Sequence, residues 1–261
     1  MNPHRIKAAL IVVATSLMAL PAEASLITLS FDIQVLSNSN SISINGQEIQ
    51  VNDSLQYSVT LDTDAPGFRL GNSPGIAFYF GDVVAGGGVA YEGVEFASHI
   101  DSAGLVTLYN DLGRRDTDVW SLSSDFSTAL GPTLTADTGS GPTDLLNFSE
   151  GQIQTELVSA FGRTGVNLVD TTDLAGALDD INSLLASQLD LLNDGDRSFD
   201  ISWSGAGGTA SLSGIVGGVE VTVVPEPETY AIMVAVLVGL GIWIRPRRPW
   251  QADTAAGSSV C

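Results

Sequence analysis

The chain has 261 residues, with 30 acidic against 10 basic side chains and a formal net charge of −20 at pH 7. That balance disfavours nucleic acid and anionic membrane surfaces as partners, because polyanions are held through phosphate contacts from Lys and Arg. One cysteine (Cys261) and two histidines (His4 and His99) leave no disulfide framework, zinc finger or Cys–His nucleophile pair.

Arg5 and Lys7 open the chain, Ala8 to Leu20 is apolar apart from Thr15 and Ser16, and Pro21-Ala22-Glu23-Ala24 follows. Charged, apolar and small residues in that order predict a secretory signal peptide over 1–24, cut between Ala24 and Ser25. The Ala-Glu-Ala step directly after a short apolar run favours cleavage over a retained anchor or a buried helix. An exported ectodomain over 25–222 is long enough for one sizeable core or two small ones. From Ser25 to Val224 there are five arginines, no lysine and 26 acidic residues. A surface of that kind suits cations or a hydrated extracellular matrix, and it also serves plain solubility.

The ectodomain reads as mainly β. Ile27 to Val35 alternates apolar and polar residues strictly, the period of a half-buried strand. Two short runs, Ser41 to Ile44 and Glu48 to Val51, flank Asn45-Gly46, a pair that accepts the positive φ angles of a tight hairpin turn. Leu55 to Leu61 is a further strand, broken by Asp62-Thr63-Asp64-Ala65-Pro66-Gly67. Ile76–Phe80, Gly88–Phe96, Leu105–Tyr109, Asp118–Ser123, Ser198–Ser204 and Thr209–Val223 complete the set. Short strands separated by Gly, Asn, Asp and Pro predict an antiparallel β-sandwich or jelly roll.

One segment differs. Ser149-Glu150-Gly151-Gln152 has the pattern of a capping box ahead of Ile153, Leu157 and Phe161. Leu174, Leu178, Ile181, Leu185, Leu189 and Leu192 then recur every three or four residues, as on an amphipathic helix. Residues 149–193 are therefore expected as a helical insertion, its leucine stripe turned to the core or to a partner.

Few residues announce chemistry. His99 is the one ectodomain histidine, and on a strand Ser98 and His99 point to opposite faces and do not meet. No Gly-x-Ser-x-Gly motif accompanies them, so a non-catalytic protein is expected over a secreted hydrolase. Asn193, Asp194 and Asp196 surround Gly195 between the helical stretch and a strand, an oxygen-rich turn that suits calcium. Asp111, Asp116 and Asp118 form a weaker second cluster. The EF-hand spacing is absent, since Leu192 falls where a ligand belongs if Asp190 is first, and Asp and Asn are ordinary turn residues. A carbohydrate-binding module, calcium-dependent or not, is the alternative function. It would need exposed rings, with Tyr79, Tyr91, Tyr109, Trp120 and Trp203 as candidates for the platform or for the core.

At the C-terminal end, Tyr230 to Ile244 is 15 apolar residues, about 22 Å of helix against a bilayer core of about 30 Å. With Thr229 the predicted membrane helix covers 229–244. Arg245, Arg247 and Arg248 follow, and a basic cluster tends to stay cytoplasmic. That orientation places the ectodomain outside, in agreement with the signal peptide, and leaves 249–261 as a cytoplasmic tail. Val224-Pro225-Glu226-Pro227-Glu228-Thr229, the apolar helix and the closing arginines, within 223–248, resemble the PEP-CTERM sorting signal of Gram-negative bacteria. The resemblance implies an exosortase as partner, a transient membrane anchor, and delivery to the cell surface or extracellular polysaccharide. Family tails usually end soon after the basic cluster, whereas Pro249 to Cys261 continues here. Looser similarity to ectodomains of the same set lies in Leu61 to Gly67 and in Phe199-Asp200-Ile201-Ser202-Trp203.

Overall fold

Fourteen strands, two short helices and one 3-10 turn are formed by the described residues. The computed structural model describes residues 26–69, 75–112, 116–137, 139, 141–145, 150–160, 164–184, 186–205 and 208–224. Eight strands follow one another around a closed ring. They are β1 (Leu26–Ser39), β4 (Ser54–Asp62), β7 (Val84–Tyr91), β8 (Val94–Leu112), β9 (Thr117–Thr128), β12 (Glu150–Ala160), β13 (Arg197–Gly205) and β14 (Gly208–Val224). Each pairs antiparallel with the next, and β14 returns to pair with β1. The result is an up-and-down barrel in place of the expected two-sheet sandwich. Alternating strands serve either architecture equally well, and closure depends on pairings that alternation does not encode.

Insertions between ring strands close both ends. β2 (Ser43–Ile44) and β3 (Gln47–Glu48) follow β1, while β10 (Leu134–Asp137) and β11 (Pro142–Asp144) follow β9. These four join in a small sheet of order β11-β10-β2-β3 over one mouth. Its hairpin uses the predicted turn, Asn45 at φ 52° and Gly46 at φ 81°. At the opposite end, β5 (Gly67–Arg69) and β6 (Ile76–Gly81) extend the sheet from the second half of β8. Two helices, α1 (Leu174–Asn182) and α2 (Ala186–Leu189), lie between β12 and β13. The Tyr79 hydroxyl of β6 donates to the Thr172 carbonyl at 2.8 Å, tying the sheet extension to the loop ahead of α1.

Inside, the barrel is filled by side chains, as a ring of eight strands requires. Phe31 stacks on Tyr57 at 5.4 Å, Tyr57 meets Phe199 at 5.3 Å, and Phe31 meets Trp120 at 5.5 Å. Nearer the capped mouth, Trp203 packs against Phe96 and edge-on against Phe126. β7 crosses close to β4 at Gly87, where φ is +110° and a Cβ would lie 2.3 Å from the Ser58 carbonyl oxygen. Glycine is the residue that both constraints admit.

The helical insertion is half realised. Residues 150–160 form β12, a ring strand paired on both sides. Ile153 and Leu157 stand four apart, a spacing that suits a helix and equally two full periods of a strand. Thr155 and Ser159, both buried, reveal the strand. Farther on, Asp173 caps α1 by accepting from the Gly176 N–H, and Leu174, Leu178 and Ile181 are buried. The helix breaks at Ser183, and Leu189 and Leu192 continue the buried stripe beyond the break. Leu185 lies outside the described residues, and the described part of the stripe serves the core. The expected strand Gly88–Phe96 is divided by a turn at Glu92-Gly93, both at positive φ, and β8 continues unbroken through Leu105–Tyr109.

Candidate functional site

The polar groups of greatest chemical interest lie inside the barrel. Alternation along β8 and β9 turns His99 and Ser124 inward, and Ser124 Oγ lies 2.6 Å from His99 Nδ1. Ser98 points outward and donates to Glu95 Oε1, so Ser98 and His99 occupy opposite faces as expected. The Tyr57 ring stands 5.5 Å from the imidazole. Tyr57 Oη, His99 Nε2, Thr155 Oγ1 and Trp120 Nε1 are buried without a protein hydrogen-bond partner.

Burial sets the protonation of this group. It lowers the His99 pKa from 6.5 to about 4, so the ring is neutral at ordinary pH. It also pushes the Tyr57 phenol well above its usual value, an effect that the nearby Thr155 hydroxyl offsets in part without reaching hydrogen-bond geometry. A Ser–His pair acts as a nucleophile when the imidazole can take the serine proton and a carboxylate orients it. His99 is too weak a base for that at this depth. What the pair does supply is a neutral hydrogen bond across β8 and β9. Sequence reasoning found His99 but missed Ser124, 25 residues away. Its signal was the inward phase it shares with Leu122 and Phe126.

Acidic residues are spread along the loops. Asp118, fully buried, accepts from the Asp111 N–H at 3.0 Å and the Leu168 N–H at 3.0 Å. Its pKa is raised by burial, with these backbone bonds opposing. In the expected cluster of Asp111, Asp116 and Asp118, one carboxylate is thus committed to holding backbone. At the other loop, Asp194–Asp196 forms a single 3-10 turn with Asn193 before it. The Arg197 guanidinium lies 3.1 Å from Asp190 and 3.3 Å from Asp194, and Asn193 donates to Asp196. The cation that this loop meets is Arg197. Among the described residues no group of three or more His, Cys, Asp and Glu side chains gathers to hold a metal.

Of the five rings considered for a sugar platform, Tyr79, Tyr91, Trp120 and Trp203 are buried and Tyr109 is half-buried. Tyr91 donates to Asp53 at 2.7 Å, and Trp203 Nε1 donates to Thr128 Oγ1 at 3.3 Å. The four buried rings belong to the core and its caps, and Tyr109 faces outward beside Phe78.

The predicted processing residues Ala24, Ser25, Pro225, Glu226, Pro227, Arg245, Arg247 and Arg248 lie outside the described residues. Among the described residues no helix is long and apolar enough to cross a membrane, and the predicted membrane helix 229–244 also lies outside them. Comparison with family models, curated proteins and solved structures finds no match to this chain.

Proposed function

We propose that this is an exported, exosortase-sorted protein of a Gram-negative bacterium, retained at the cell surface or released into the extracellular matrix. In this reading the barrel is non-catalytic, a structural or adhesive body associated with extracellular polysaccharide. The observation that carries it is the ordered tail: Pro225-Glu226-Pro227, an apolar run, and Arg245, Arg247 and Arg248.

Two features of the fold support it. Ala24–Val224 is one compact unit, and its ends coincide with the two processing signals. Leu26 of β1 pairs with Val224 of β14, so the chain enters and leaves the barrel at one rim. The two predicted processing segments therefore adjoin neighbouring strand ends of the barrel. Prolines at 225 and 227 lack the N–H that a strand ladder or helix interior requires, which suits a handle read by an enzyme.

Replacing Pro225, Glu226 and Pro227 with alanine should leave the protein unprocessed in the membrane fraction of its host, as followed by immunoblot and surface labelling. Normal cutting and surface display of that variant would remove the basis of this reading. Glycan binding is the second reading, favoured by Tyr109 together with outward phenyl rings that the sequence did not single out.

A further inference from the structure

The outer face of the β5–β6–β8 extension differs from the rest of the wall. Phe68 and Phe80 are each 54% exposed and Leu105 is 39% exposed. Phe78 and Tyr109, half-buried, meet edge to face at 6.3 Å between them. Register assembles these residues into one strip: Phe68 is opposite Phe78, and Phe80 is opposite Leu105. The reverse face of β6 is already occupied, with Ala77 and Tyr79 buried. The outward phenyl rings are therefore not the core side of the strand.

Beside the rings the same face turns polar. Leu105 and Thr107 lie opposite Ser123 and Ser121 of β9, and Ser123 lies opposite Gln154 of β12. A row of rings thus runs into hydroxyl and amide groups on a continuous sheet, with the Glu156 carboxylate opposite Ser121 at its far side. None of the five apolar strip residues is charged, although the ectodomain carries 26 acids. Arg69, next to Phe68, is the nearest charge in sequence on that edge strand.

Size and charge together select the occupant. Aromatic side chains bury 150–250 Å² each when fully enclosed, so this partly exposed strip offers about 350 Å². A stable protein interface takes about 800 Å² from each partner, which the strip does not supply. Two such acidic barrels also repel each other, and an anionic polymer is disfavoured by the same charge. β5 is the edge strand among the described residues, but at three residues it is too short for extensive strand addition. An uncharged polysaccharide meets the remaining conditions. Its pyranose C–H faces carry slight positive charge and rest on the electron-rich faces of phenyl rings. Its hydroxyls meet the Ser, Thr and Gln side chains alongside. Phe68 and Phe78 sit on adjacent strands about 4.8 Å apart, close enough for one polymer chain to cover both.

We propose that the strip formed by Phe68, Phe78, Phe80, Leu105 and Tyr109 is a binding surface for an uncharged glycan strand. The proposal gives a ligand class to the adhesive role above and rests on that role for its context. Its test does not involve sorting, so either idea can fail alone.

The experiment uses the full chain, solubilised in a detergent without a sugar head group, in native affinity gels. The gels contain hydroxyethyl cellulose, laminarin or dextran as neutral glycans, or alginate as an anionic one. Retardation by at least one neutral glycan and none by alginate is expected. The double variant Phe68→Ala/Phe80→Ala should weaken that retardation at least tenfold with an unchanged circular dichroism spectrum. Ser121→Ala/Ser123→Ala should weaken it less. Absence of retardation by all three neutral glycans, or equal retardation of the Phe68→Ala/Phe80→Ala variant, would overturn the proposal. So would a concentration-dependent dimer abolished by that variant, since it would assign the strip to a second copy.

Discussion

The two faces of the barrel wall are built from the same strands and follow opposite rules. Inward positions carry Phe31, Tyr57, Trp120 and Phe199, with His99, Ser124 and Thr155 among them. Outward positions along β9, β12, β13 and β14 carry mainly Ser, Thr, Gln, Asp and Glu, with Val119 and Val158 among them. Ser37 and Ser213 hydroxyls lie 2.6 Å apart, and Thr28 and Thr60 hydroxyls 2.8 Å apart. Stability therefore resides on the inner face, and the outer face is free to vary in what it binds. The β5–β6–β8 strip departs from this rule by gathering three phenyl rings, Leu105 and Tyr109 on one face, which is why it stands out as a surface with a partner.

That contrast is sharpest for a ring at the centre. Phe199→Ala removes a fully buried side chain that touches Tyr57 and should cost about 3–5 kcal/mol. Chemical denaturation followed by tryptophan fluorescence measures the loss. A cost below about 1 kcal/mol would mean that the interior is not packed as described.

A smaller effect comes from pH. His99 takes up a proton near pH 4 when folded and near 6.5 when exposed. Between those values the unfolded chain binds more protons, so stability falls as pH drops through this window and is retained above it. The full loss is about 3 kcal/mol at 1.36 kcal/mol per pKa unit. Asp118, whose pKa burial raises, acts in the opposite sense at the acid end. Comparing wild type with His99→Gln at pH 7 and pH 4 isolates the histidine. The variant should lose markedly less stability over that interval, and identical losses would place His99 in water.

The inner and outer positions of most ring strands were legible because alternation is a local property. Ile27 to Val35 shows it plainly, and so does the buried stripe of Leu174, Leu178 and Ile181 on α1. Residues 150–160 were misread because two apolar residues four apart satisfy both periods, while the inward residues between and beyond them, Thr155 and Ser159, are polar. Closure was not legible at all. It depends on β14 meeting β1 and on β8 meeting β9 across the bulge after His99, pairings set by tertiary register. The site showed the same division. The facing of His99 away from Ser98 followed from strand geometry, but its partner Ser124 required the pairing of two strands. Within the expected strand Ile76–Phe80 no sequence signal separated Phe78 and Phe80 from Ala77 and Tyr79, since which phase of β6 faces solvent is fixed by what covers Ala77 and Tyr79.

The least perturbing substitution separates the two faces within β12 itself. Gln154 points outward between Ser123 and Asp200, flanked by neighbours on both sides. Valine at that position adds β-branching, which a paired strand tolerates or favours, with a total span of about 1 kcal/mol across the propensity scale. In a helix the same change would be unfavourable by a few tenths of a kcal/mol. Gln154→Val should therefore leave stability equal or slightly higher, whereas Thr155→Gln, one residue along, forces a larger polar side chain into the packed interior. Overpacking of that kind costs about 1–3 kcal/mol. If the two substitutions had equal effects, the alternation that assigns residues 150–160 to the barrel wall would be lost. A pair of melting curves suffices, because the two positions are adjacent on one strand and occupy opposite faces.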